Sequence, residues 1–201
     1  TLGHYLLSLF FALERDRIRF QQARDRAGRN PLGSIALAGS SFPVDRRAVA
    51  SELGFDGVTE NSIDAVSHRD WTLEFLSACA TLMMHLSRIA EDVIIWSTAE
   101  FGFARLSDAY ATGSSMMPQK KNPDSFELVK GKTGRVYGNL FALLTIVKGL
   151  PLGYCRDLQE DKAPLFDTAR TVEACLGVAE GALRTLAFDT ARMESAMDPA
   201  M

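Results

Sequence analysis

Residues 165–186 read LFDTARTVEACLGVAEGALRTL. Within them Leu165, Ala169, Val172, Leu176, Ala179, Leu183 and Leu186 follow alternating steps of four and three residues. A heptad sustained in this way is the pattern of a long helix lying at a shallow angle against other helices. The same period recurs upstream. Val129, Val136, Leu140, Leu143 and Val147 predict a helix over 123–149, and Leu76, Ala80, Met83, Ala90 and Val93 predict one over 67–100. Leu2, Leu6, Leu9 and Leu13 open another, with charged residues gathered behind them from Glu14 to Arg29. Residues 28–45 hold Gly28, Pro31, Gly33, Gly39 and Pro43 and read as an irregular connection. Strand alternation and internal repeats are absent, so the predicted fold is all-α, a long-helix bundle.

Two local signals qualify that picture. Asp157 and Glu160 form an Asp-X-X-Glu helix start before the heptad. Gly131, Gly134 and Gly138 sit inside the helix predicted over 123–149, each costing about 1 kcal/mol against alanine. They predict close approach of another backbone or a ligand. Long helices with several apolar seams cannot all be covered within 201 residues, so part of this surface is expected to meet other subunits.

The composition is 47% hydrophobic and 23% charged, enough for a packed core, with a formal net charge of -3. Lys and Arg are scattered rather than striped, which gives no electrostatic basis for binding nucleic acid. Cys79, Cys155 and Cys175 lack metal-ligand spacing and read as free thiols of a reducing compartment. No leader pattern and no run long enough to span a bilayer is found, so the expected setting is cytoplasmic, without a membrane partner. No dinucleotide or phosphate-loop motif is present, and neither cofactor nor metal is expected.

The chemistry concentrates in Gly113-Ser114-Ser115-Met116-Met117-Pro118-Gln119-Lys120-Lys121-Asn122-Pro123-Asp124. Asn122 can cap a helix, Pro123 suits its first position and Asp124 the positive end of its dipole. The residues before them, about 104–122, read as a mobile loop carrying two hydroxyls and two lysines into a rigid helix. That combination describes an anion site with a candidate nucleophile or base.

The run closely resembles the signature loop of the fumarase/aspartase superfamily, in the variant of its argininosuccinate lyase and delta-crystallin branch. Adenylosuccinate lyases and fumarases share the Gly-Ser-Ser opening and the Met-Pro pair, but differ between that Pro and the Asn. The opening Leu2-Gly3-His4-Tyr5-Leu6-Leu7, the segment from Asn61 to Asp70, Gly131-Lys132-Thr133-Gly134-Arg135-Val136 and the segment from Tyr154 to Lys162 also resemble that branch. In such enzymes a Thr-X-X-His motif directly precedes the stretch resembling the first seven residues, and a small domain follows the bundle. The resemblance therefore implies that residues 1–201 are the central helical-bundle domain of a longer enzyme.

It also implies a reaction: reversible elimination of fumarate from argininosuccinate to leave arginine. The proton beside a carboxylate is weakly acidic, and its removal leaves a doubly charged aci-carboxylate. The enzyme needs a base and concentrated donors or positive charge. By resemblance Ser114 is that base, with Ser115 a hydrogen-bonder to substrate. Lys120 and Asn122 hold the substrate carboxylate and stabilise the aci-carboxylate, and Glu127 tunes the upstream histidine. Arg69, Tyr154, Gln159 and Lys162 match substrate-contacting positions. Lys121 reads as a solvated charge, His85 as a satisfied packing histidine, and His4 and His68 stay outside the site. The family assembles homotetramers whose active sites each draw on three chains. Two other readings stand beside this one: a lyase acting on adenylosuccinate, opposed by Gln119, Lys121 and the 154–162 segment, and a non-catalytic crystallin-like protein.

Overall fold

The computed structural model describes residues 1–117 and 120–197. Pro118 and Gln119 of the signature run lie outside the described residues. Four long helices dominate: α1 (Leu2–Ala27), and, beyond two short helices α2 (Arg46–Glu52) and α3 (Ser62–Ser67), α4 (Asp70–Trp96), α5 (Asp124–Val147) and α6 (Lys162–Arg184). A short α7 (Thr190–Ser195) closes the described chain. The strands are two-residue pairings only: 29–30 with 57–58, 104–105 with 187–188, and 112–113 with 121–122. The all-α bundle predicted from the heptads is the fold observed.

Helix α4 is the axis of the core. Eleven of its residues are buried, including Leu76, Ala80, Met83, Ala90 and Val93 of the predicted seam. It packs against α1, α5 and α6. Cross-helix bonds fix the directions. Arg26 pairs with Glu74 while Tyr5 bonds Asp92, so α1 and α4 run antiparallel. Lys130 meets Glu91 and Thr133 Oγ1 donates to the Met83 carbonyl at 3.2 Å, giving α5 the opposite sense to α4. Arg135 and Asn139 on α5 grip Asp167 on α6, where Arg135 Nε donates at 2.7 Å. Those bonds, Arg135 first, hold the Asp167 carboxyl down at about 2. His85 is satisfied, as predicted: its Nδ1 stands 2.6 Å from Asp16, a carboxylate buried on α1.

The sequence-based helix limits shift inward, and two expectations fail. Helix α6 is turned one position from the leucine seam. Its buried stripe is Pro164, Thr168, Thr171, Val172, Cys175, Ala179 and Ala182, while Leu176 and Leu183 remain 42% and 37% exposed. Small side chains fill its inner side, Leu165 and Leu186 are half-buried, and Leu176 and Leu183 face outward. At Gly131, Gly134 and Gly138 a Cβ would find no other group of this chain within 4 Å, so the close approach expected there is not made by the chain itself. Asp157 starts no α-helix but lies in a 3-10 turn, Arg156–Gln159, with α6 beginning only at Lys162.

The irregular stretch after α1 is largely exposed and meets the rest of the chain at Leu37. Leu37 fills the space above Gly153, where φ is +89° and a Cβ would come within 2.5 Å of Leu37 Cδ1. Ile35 adopts φ 53°, a left-handed conformation that β-branched side chains avoid.

Candidate active site

The predicted site residues fall into two groups at opposite ends of the bundle. Ser114, Ser115, Lys120, Asn122 and Glu127 stand where α5 begins, beside the ends of α4 and α6. Arg69, Tyr154, Gln159 and Lys162 stand beyond the far end of α5, where α4 and α6 begin. Helix α5 has 24 residues, and at 1.5 Å rise per residue the two groups are about 36 Å apart. One copy of the chain does not bring them together.

At the first end the signature run is a hairpin. Thr112 and Gly113 pair antiparallel with Asn122 and Lys121, and an exposed ion pair joins Lys121 to Asp108. Asn122 lies in this backbone pairing and is not the cap residue. Pro123 occupies the cap position without a side-chain bond, and its carbonyl receives the Phe126 and Glu127 amides at 3.0 and 3.1 Å. Asp124 and Glu127 are acidic in the first turn of α5, as the helix dipole favours. At the start of the loop expected over 104–122, Ala104–Arg105 is paired with Ala187–Phe188.

In the tip, Ser114 Oγ accepts the amides of Met116 and Met117, each at 3.3 Å. Two donors aimed at one hydroxyl oxygen fasten a turn, and the same donors favour negative charge on that oxygen. Lys120 and Ser115 are exposed, and the Lys120 amide donates to the Met117 carbonyl at 2.9 Å.

At the other end a charged cluster is locked in place. Arg69 Nε bonds Asp161, while its Nη1 donates to the His68 and Val66 carbonyls at 2.8 and 3.3 Å. Lys162 Nζ donates to Asp161 at 2.7 Å and to the Leu158 carbonyl at 3.1 Å. Burial pushes the Asp161 carboxyl upward, but the bonds from Lys162 and Arg69 and their charges outweigh it and leave it below its usual range. The donors of Arg69, expected to contact substrate, are therefore partly used inside the chain. Tyr154 and Gln159 are exposed, and Arg156 approaches the Tyr154 hydroxyl at 3.5 Å. Asp161 was not singled out by the sequence. Its partner Arg69 lies 92 residues away, and only the parallel starts of α4 and α6 join them.

Among the described residues no cluster of three or more His, Cys, Asp and Glu side chains could hold a metal ion. No described helix is long and apolar enough to cross a membrane. The three cysteines are free, Cys79 and Cys175 being buried; burial raises the Cys79 thiol to about 12.

Long antiparallel helices with a serine-bearing hairpin at one end define a bundle of the fumarase/aspartase type. A family model described as "Lyase" matches residues 1–138, and the chain belongs to that family. It is 58% identical over 196 residues to an argininosuccinate lyase of Carboxydothermus hydrogenoformans and 59% identical to one of Symbiobacterium thermophilum. Each alignment covers 98% of this chain but only 43% and 42% of those relatives, so the chain spans less than half their length. Among solved structures it is similar to an EDDS lyase crystallised with formate, with a TM-score of 0.90 and 32% identity over 97% of this chain and 39% of that one.

Proposed function

We propose that this chain is the central bundle of an argininosuccinate lyase, a cytoplasmic enzyme that reversibly eliminates fumarate from argininosuccinate and leaves arginine. Ser114 takes the proton beside the substrate carboxylate. The Met116 and Met117 amides on its oxygen stabilise the alkoxide that a serine base requires. Lys120 and Asn122 meet the charge that develops on the aci-carboxylate, and Ser115 hydrogen-bonds the substrate. Glu127, open at the start of α5, is placed to orient a histidine from elsewhere. Tyr154, Gln159 and Lys162 receive the amino-acid end of the substrate, held by the Arg69–Asp161 lock.

The observation that carries the reading is the separation of about 36 Å between the two groups along the 24 residues of α5. A substrate the size of argininosuccinate cannot bridge it within one copy. Both groups act on one molecule only when different copies present opposite ends to each other, so the sites are shared between copies, in the homotetramer that the resemblance to argininosuccinate lyases implies. Its helical seams have surface to spare. Leu128, Phe141 and Leu144 on α5 are 60%, 72% and 47% exposed, and they flank the bare glycines.

The test is fumarate release by the full-length parent protein offered argininosuccinate and adenylosuccinate side by side. Turnover of argininosuccinate alone is the expected result. Turnover of adenylosuccinate instead retains Ser114 and Lys120 but removes the roles given to Tyr154, Gln159 and Lys162. Silence on both from a folded tetramer would favour the crystallin-like reading.

A further inference from the structure

The base of the hairpin is built differently from its tip. Tyr110 sits two residues before the neck, and its ring is pressed against α6 at Gly181. A Cβ at position 181 would stand 3.2 Å from Tyr110 Cε1 and nearer still to Cζ and the phenol oxygen, so only glycine leaves the ring its place. The Tyr110 carbonyl accepts Ser125 Oγ from the first turn of α5 at 2.6 Å, and its amide donates to the Ser107 carbonyl at 3.0 Å. One residue is thus held by α6, by α5 and by its own segment. Behind it lies an open cavity of about 350 Å³ lined by Tyr110, Ala111, Thr112, Ser125, Leu128 and Cys175. If the Tyr110 ring is displaced, the space beneath this segment lets it settle elsewhere. Beyond the neck, the hydrogen bonds described for the tip stay within it.

We propose that Tyr110 is a positioning residue for the signature hairpin. The notch at Gly181 and the Ser125 hydroxyl fix the point from which Thr112 and Asn122 project, and so set where Ser114 and Lys120 stand over a substrate. The inference rests on the reading of Ser114 as the base. Because the Tyr154, Gln159 and Lys162 group lies at the far end of the bundle, moving the hairpin base changes the chemical step and leaves their grip on the substrate intact.

Full-length protein carrying Gly181→Ala, Tyr110→Ala, or both, tests this with two readouts: steady-state fumarate release, and tryptic cleavage after Lys120 and Lys121. Gly181→Ala is expected to lower kcat by about tenfold or more, with a smaller rise in KM because Ser115, Lys120 and Asn122 ride on the same hairpin as Ser114. Cleavage of the hairpin is expected to quicken, and the double variant to be no worse than Tyr110→Ala alone, because the added methyl has nothing left to displace. Independent, additive effects, or a normal kcat with normal cleavage, would overturn the proposal. If the unmodified protein releases no fumarate, the functional reading fails by itself, and cleavage rates and their additivity still decide the anchor. Should Gly181→Ala not fold, Ser125→Ala removes the 2.6 Å bond without adding volume. Unchanged kcat and cleavage in that variant would equally overturn it.

Discussion

The two ends of the bundle are built on opposite plans. Around Asp161 the charges answer one another: Arg69 and Lys162 are bonded to one carboxylate that is only 8% exposed, and backbone carbonyls take up more of their donors. At the hairpin the ion pair of Lys121 and Asp108 lies in open solvent, 51% and 81% exposed, and the described bonds of the tip are local. An end locked by buried charge contributes stability. An end hung from a short neck contributes little, and is free to carry reactive groups. The difference teaches where stability resides: a substitution at the hairpin is felt as lost activity, and one at the Arg69–Asp161 pair as lost folding free energy.

Four substitutions in the full-length protein sharpen or break that contrast. The largest effect is expected from Ser114→Ala, which lowers kcat by about a thousandfold, a typical contribution for a general base, while the melting temperature stays put. Near-normal turnover would remove Ser114 as base. Arg69→Ala is expected to cost about 3 kcal/mol of stability, the lower end for a buried pair stripped of one partner, because Lys162 still faces Asp161. Denaturant titration reads it, and a loss under about 1 kcal/mol would show that the locked end is no more stabilising than a surface pair. At the same end, Ile35→Gly is expected to raise stability by about 0.5–1 kcal/mol, since release from a left-handed φ exceeds the entropy a glycine adds. A melting point that falls would refute that strain.

The smallest effect concerns Asp167, midway between the ends. Its carboxyl is held at about 2 by Arg135 and Asn139, below the usual value near 3.9. A lowered folded-state value means the stabilisation is present above about pH 4 and is lost as pH falls through about 2. Asp167→Asn is expected to cost under about 1 kcal/mol at neutral pH, because Arg135 is 56% exposed. That cost should disappear in acid; a pH-independent difference would show that packing, not charge, is lost.

The fold was legible because hydrophobic period needs no partner to be read. The seams of α4 and α5 are the buried ones, Leu76 to Val93 and Val129 to Leu143. The face of α6 was misread because leucines mark where apolar surface is, not which neighbour covers it, and Thr168, Thr171 and Ala182 win the inner side by being small. The motif that drew attention to Ser114 and Lys120 is a contiguous run and could be read as one. The bonds of Arg69 with Asp161 and of Tyr110 with Ser125 could not, since they depend on which helix ends meet. Nor does a glycine in α6 announce that it faces a tyrosine from 71 residues earlier in the chain.

The rod that holds the two ends apart carries its own timer. Gly131, Gly134 and Gly138 leave one wall of α5 without side chains and without a covering group, and each weakens the local helix by about 1 kcal/mol. In deuterium exchange on the lone chain, the middle amides of α5 therefore open locally and lose their protons well before those around Val93 on α4, whose release awaits global unfolding. When another surface closes over that bare wall, the exchange of these amides slows, and α5 becomes an internal clock for assembly.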